Sequence, residues 1–352
     1  MEPLLILRCG ASERMENAIA EAAANLPHEL ARVRDGIEGL AGRRVLFAVA
    51  IGPYGADAEL CALMEHLRRD ARSMEGSFGA IIIDGAGDLD TKLVSRQIAL
   101  YANASGCFFM GKPMIEATGT LKSLAPSAKR LGISRMEAYV RFSRELMGRL
   151  LSFEPPRYER PNIMMLHSSE KETSNTLAMG GRVCKLLSPY CDISEICLRN
   201  GEIHDCRSCS YKTCSHFAKT NECFYGGSIA KDAFPALMEA NALLLLCPNY
   251  NDALGANTTA FINRLTSLMV NNTFYDRYLY AIVVSGYSGS DIIAQQALGA
   301  LCFNKTFMLP PRFCLMRTAN DPGEAMAAEG TEESLESMAR DMLYQLAGKH
   351  IV

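Results

Sequence analysis

The chain has 352 residues, 49% of them hydrophobic and 21% charged, with a formal net charge of −3. At ~150 residues per domain that length suggests two domains, the apolar share suffices for two cores, and the composition excludes a disordered polyelectrolyte. Charge is even along the chain, 21 basic and 20 acidic residues up to Arg160, then 15 and 19, so nothing points to nucleic acid or an anionic membrane surface.

Met1-Glu2-Pro3 lacks a basic n-region, and Pro3–Leu7 is shorter than a signal h-region. The longest strongly apolar run, Ala242–Cys247, is strand-sized against the ~20 residues of a membrane span. A cytoplasmic protein without membrane contact is expected. In a reducing cytosol its 13 cysteines read as core thiols plus a metal site.

Leu4–Leu7, Val45–Ile51, Ala80–Asp84 and Cys107–Met110 are predicted strands of the first half. Glu13–Ala24, Ala56–Arg72, Leu89–Ala102 and Arg135–Leu150 are its predicted helices. Residues 1–151 therefore read as an α/β layer domain, a diverged copy of the second. Lys112 is no P-loop lysine, because Pro113 takes the Ser/Thr position. Residues 152–161 carry Pro155, Pro156 and Pro161, which favour extended backbone and mark a linker.

Residues 162–352 show a clearer rhythm. Strands are predicted at Ile163–Leu166, Asp192–Leu198, Ala242–Cys247, Tyr280–Ser285 and Thr306–Leu309. A helix with Leu177, Gly180, Cys184 and Leu187 on one face follows the first strand. Ala230–Ala240, Gly255–Met269, Asp291–Leu301 and Glu332–Leu346 are the other helices. Five strands separated by helices indicate a parallel, doubly wound α/β sheet.

In such a sheet ligands bind beyond the carboxyl ends of the strands, which singles out three loops. Loop one, His167–Thr176, offers Ser168, Ser169, Thr173, Ser174 and Thr176 hydroxyls and the Asn175 amide just before a helix. A helix N-terminus favours a phosphate; ordinary capping by Ser174 or Thr173 explains the same residues. Loop three, Cys247–Gly255, holds Pro248, Asn249, Tyr250 and Asn251, suited to a flat heterocycle or to a plain turn. Loop four, Ser285–Asp291, has Gly286 and Gly289 for close backbone approach, with the same alternative. His167 reads as a hydrogen-bonded structural residue with no proton-transfer role.

Residues 162–310 resemble the flavodoxin-like NADPH-dependent FMN reductases and the related iron–sulfur flavoproteins. The resemblance rests on Ser-Asn-Thr (174–176) entering a helix, a Cys-rich segment after strand two, and Cys-Pro-Asn-Tyr (247–250). Phe-Ile-Asn-Arg (261–264) and Ser-Gly-Tyr-Ser-Gly (285–289) complete it. It implies two flavodoxin-like three-layer domains, the first one degenerate. It also implies that Ser168, Ser169, Ser174, Asn175 and Thr176 hold the FMN phosphate. Pro248, Asn249, Tyr250 and Asn251 would line the isoalloxazine, and Ser285, Gly286, Tyr287 and Ser288 its other edge. The family opens loop one with Gly-Ser and an Arg two residues later. Here His167 and Glu170 stand in those places, with Lys171 as a substitute cation.

The Cys-rich insertion, residues 204–223, places Cys206, Cys209, Cys214 and Cys223 at C-x₂-C-x₄-C-x₈-C spacing. Four thiolates suit a [4Fe–4S] cluster or Zn, and His204 and His216 could join a Zn site; unmetallated thiols remain an alternative. The resemblance implies a cluster, the family's first spacings being tighter. The expected function is an FMN-dependent oxidoreductase. It passes electrons from NAD(P)H through FMN, and through the cluster, to a small-molecule or protein acceptor. The alternatives are an electron carrier without its own NAD(P)H reaction, and a Zn-binding or redox-sensing protein that has lost FMN. A homodimer is expected, unless the first domain replaces the partner. That domain shows neither a Ser-rich loop nor the cysteines and is expected to bind no flavin.

Overall fold

The computed structural model describes residues 2–169 and 173–351. The chain divides into two compact units, residues 1–154 and 155–352. In the first, β1 (Leu4–Cys9), α1 (Glu13–Ala23), β2 (His28–Arg32), β3 (Arg44–Ile51) and α2 (Ala58–Arg69) come first. They are followed by β4 (Phe78–Gly85), α3 (Thr91–Ala104), β5 (Phe108–Ala117), α4 (Ala125–Leu131) and α5 (Arg135–Ser152). The five strands are parallel in the order β2-β1-β3-β4-β5.

β3 is buried from Val45 to Ile51. Alternate residues point to opposite faces, so this run needs a layer on each side. β2 escapes sequence reading because His28–Arg32 is an exposed edge without apolar alternation. β5 runs past its predicted end at Met110 through an irregularity in its pairing with β4, where Lys112 has φ +52°.

The second unit contains β6 (Asn162–His167), α6 (Asn175–Leu187), β7 (Asp192–Cys197), α7 (Tyr211–Ala218), α8 (Phe234–Glu239) and β8 (Ala242–Pro248). Then come α9 (Ala256–Leu268), β9 (Tyr278–Ser285), α10 (Ser290–Leu298), β10 (Cys314–Thr318), α11 (Glu324–Ala327) and α12 (Thr331–Ala347). Its parallel order is β10-β9-β8-β6-β7. Counted within each unit, both sheets run 2-1-3-4-5, the flavodoxin-like winding. Strand order reverses between β1 and β3 in one unit and between β6 and β8 in the other.

One predicted strand is corrected. Thr306–Leu309 makes a single bridge, Met308 to Tyr278, and the fifth strand is Cys314–Thr318. Phe307, Met308 and Leu309 are fully buried, which gives them strand-like composition. Pro310 and Pro311 follow at once and bring no N–H donors, so a ladder cannot continue through them. The Pro-rich segment leads into the second unit. Tyr158 N donates to Leu346 O, and Tyr278 Oη donates to Pro156 O.

Candidate functional site

The second unit gathers its loops where strand order reverses. Loop one leaves β6 at His167, which is 1% exposed. Its Nδ1 accepts from Ser169 N at 3.2 Å, so the proton sits on Nε2, which faces Glu195 Oε1 at 3.2 Å. His167 thus shapes the loop, in the structural role expected from sequence. The Ser174 side chain caps α6 by accepting from Leu177 N at 3.2 Å. The Ser169, Thr176 and Ser174 hydroxyls form a chain, at 3.4 and 3.0 Å. No acidic residue occupies the first turn of α6. Hydroxyls over first-turn N–H groups at a positive helix end fit a phosphate. Glu170 and Lys171 lie outside the described residues.

Loop three turns tightly. Tyr250 and Ala253 exchange backbone hydrogen bonds across Asn251 and Asp252, at φ +54° and +56°. A side chain added at Gly255 would lie 3.7 Å from Ser168 Oγ and 3.8 Å from the Tyr250 ring, so loops one and three adjoin. Loop four closes against loop three. Asn249 Nδ2 donates to Ser285 Oγ at 3.0 Å and to Ser288 O at 3.1 Å. Gly289 has φ +86°, and a Cβ there would stand 2.0 Å from Asp252 Oδ1. Tyr250 and Tyr287 are left 57% and 85% exposed at this edge.

Three predicted contact residues have other work. The Asn175 amide donates to Asp321 O at 2.9 Å and accepts from Gly323 N and Ala325 N. It ties α6 to the turn after β10, leaving only its backbone N–H for a phosphate. The Asn249 amide is spent between loops. Ser285 is 1% exposed and bonded to Asn249 and Ser290, so it supports the loop rather than meeting a ring edge. Pro248 and Asn251, with Gly286 and Ser288, border the same edge from their loops.

Sequence reading missed two contributors. Gln296 on α10 accepts from Leu254 N and donates to Asp252 O, clamping loop three. The turn after β10 also belongs to the site. Thr318 Oγ1 donates to Tyr287 O, and a Cβ at Gly286 would lie 3.1 Å from Asn320 Oδ1. Misplacing the fifth strand misplaced this turn.

The equivalent edge of the first unit differs chemically. Only three residues, Gly10-Ala11-Ser12, join β1 to α1, and the first turn of α1 carries Glu13 and Glu16. Arg14 reaches across to Asp84 at the end of β4, with Nε–Oδ2 at 3.0 Å and Nη2–Oδ1 at 2.9 Å. It also donates to Gly119 O and Gly85 O. An anion here would meet two carboxylates and a guanidinium already bound.

The Cys-rich segment folds onto α9. Cys206, Cys209, Cys214 and Cys223 all line one cavity of about 340 Å³, together with Phe217 and Arg264. Cys214 titrates above its ordinary range, first because of burial and then because the other three thiols repel its thiolate. Among the described residues no group of three or more His, Cys, Asp or Glu could hold a metal ion. One Zn²⁺ needs its sulfurs at ~2.3 Å from a single point. A cubane is larger and takes its thiolates at four separate corners. The four cysteines that line the one cavity are the donor set such a group takes. The Cys9, Cys184 and Cys247 thiols are instead pushed up to about 12, chiefly by burial, and belong to the cores.

Residues 161–321 match the family model of the NADPH-dependent FMN reductases. The matched residues all lie in the second unit. Among solved structures, RosB with bound 8-demethyl-8-formylriboflavin-5'-phosphate is similar, at 12% identity and TM-score 0.43, over 53% of this chain and 80% of that one. An NAD(P)H:quinone oxidoreductase from Methanothermobacter marburgensis shows 14% identity and TM-score 0.36, over 53% and 96%. An NADH:FMN oxidoreductase shows 12% and 0.37, over 54% and 91%. No curated protein matches the chain. Among the described residues no helix is long and apolar enough to cross a membrane.

Proposed function

We propose that the FMN reductase domain binds FMN over the β6/β8 reversal and takes hydride from NAD(P)H. The phosphate lies at the α6 N-terminus, among the Ser168, Ser169, Ser174 and Thr176 hydroxyls and the first-turn N–H groups. The ring lies along loops three and four, bordered by Pro248, Tyr250, Asn251, Gly286, Tyr287 and Ser288. FMN supplies hydride acceptance and onward electron release. The protein binds the phosphate and borders the ring, on which the nicotinamide would stack. No side chain need act as acid or base.

Cys206, Cys209, Cys214 and Cys223 hold an iron–sulfur cluster in this reading. It carries electrons singly to a small-molecule or protein acceptor, in a cytoplasmic protein that forms a homodimer. Four thiols around one cavity support it.

The observation carrying the flavin site is the junction of loops one, three and four through Gly255 and Asn249. Flavin and iron are quantified after anaerobic purification, followed by rapid mixing with NADPH or NADH. One FMN per chain, bleached by NAD(P)H, is expected. Two FMN per chain would contradict the chemistry of the first unit. A chain that takes up no FMN refutes the assignment, and flavin that stays oxidised leaves an electron carrier.

A further inference from the structure

Arg264 is the largest fully buried side chain among the described residues, at 1% exposure. Its Nη1 donates to His204 O at 3.3 Å and its Nη2 to Gly226 O at 2.7 Å. It therefore clamps both ends of the segment that carries the four cysteines. Its Nε finds no acceptor. Among the described residues no carboxylate pairs with it. Asp205, the acid nearest in sequence to the clamp, accepts instead from Cys206 N and Asn263 Nδ2. Asp84, likewise buried, has its Arg14.

Two carbonyls satisfy hydrogen bonds but not a whole positive charge, and a buried charge without a counter-charge is strongly unfavourable. Arg264 lines the cavity that the four cysteines surround. Lys305 Nζ donates to Thr266 Oγ1 on α9, a residue that lines the same cavity. A positive wall with an unused N–H calls for an anion inside that cavity. Four thiolates around a cluster carry more negative charge than the iron neutralises, so the group is a net anion.

We propose that Arg264 is the positioning residue for that group. It supplies the buried counter-charge that retains the thiolate-bound cluster and eases its reduction. This rests on the cluster reading above. Among the described residues Arg264 hydrogen-bonds to His204 O and Gly226 O and to none of the flavin loops, so flavin content reports the integrity of the fold independently.

The test compares wild type, Arg264→Lys and Arg264→Gln after anaerobic reconstitution with ferrous iron and sulfide. Iron per chain, cluster reduction potential, FMN content and circular dichroism are read. Arg264→Gln keeps a donor but loses the charge. It is expected to keep FMN, to hold several-fold less iron, and to lower the reduction equilibrium constant about tenfold, or about 59 mV for one electron. Arg264→Lys is expected to retain iron and a potential close to wild type. Wild-type iron content and potential in Arg264→Gln would overturn the proposal while leaving the cluster in place. Iron lost from a folded Arg264→Lys would overturn it too, because the clamp rather than the charge would then matter. A wild-type chain that binds FMN but no iron removes the cluster reading itself and this role with it.

Discussion

Replacing Asn249 with Ala should loosen the flavin edge without touching the core. Asn249 Nδ2 faces three acceptors, Asp252 Oδ1, Ser285 Oγ and Ser288 O, and its Oδ1 accepts from Asp252 N at 2.8 Å. Two amide protons serve two acceptors well, so about three bonds are at stake. Each is worth about 1 kcal/mol net. The Asp252 groups are exposed and regain water, and Ser285 keeps Ser290, so about 2 kcal/mol is the expected loss. If that order must be restored on binding, the FMN dissociation constant rises about thirtyfold, at ~1.4 kcal/mol per factor of ten. Flavin fluorescence titration measures it directly, in a chain without tryptophan. Asn249→Asp sets a carboxylate oxygen against Asp252 Oδ1 and Ser288 O, so it should weaken FMN binding at least as much as Asn249→Ala. An Asn249→Ala protein with FMN affinity within twofold of wild type would show that the loop three–loop four junction is not part of the flavin site.

Other expectations concern separate parts of the molecule. Arg14→Met strands the buried Asp84 carboxylate and should destabilise the first unit by about 3–5 kcal/mol in urea unfolding. FMN stoichiometry should not change, and Arg14→Met combined with Asp84→Leu should recover much of the loss. Glu324 accepts from Asn320 N and Asp321 N, which hold its carboxyl below the ordinary range. The turn after β10 is then fully supported above about pH 4.3, the unfolded value. Support is lost as pH falls through the lower folded value; protection of the Asn320 and Asp321 amides should drop there, and stay flat in Glu324→Gln. Thiol alkylation at pH 8, mapped by mass spectrometry, should mark the exposed Cys61 and Cys197 first. Cys9, Cys184 and Cys247, pushed up to about 12, have about one thiolate in ten thousand at that pH and should be spared. Cys206, exposed in the free chain, should become protected once iron is loaded.

The alternation of strand and helix is legible residue by residue, because burial on both faces writes continuous apolar runs such as Ala242–Cys247. The polar loops at the strand ends and the cysteine spacing are legible too, since these are local. Tertiary structure decided what depends on partners distant in the chain. Cys314–Thr318 became the fifth strand because it pairs with β9, whereas the more apolar Thr306–Leu309 is buried and runs into two prolines. Asn175, Asn249 and Ser285 look like ligand contacts by residue type, but their hydrogen bonds close loops 36 to 150 positions apart. Arg264 reads as one cation on a helix. Only the packing of residues 204–226 over α9 buries it and brings it to one cavity with four cysteines. Periodicity records how much of a residue is covered; it carries no record of what covers it.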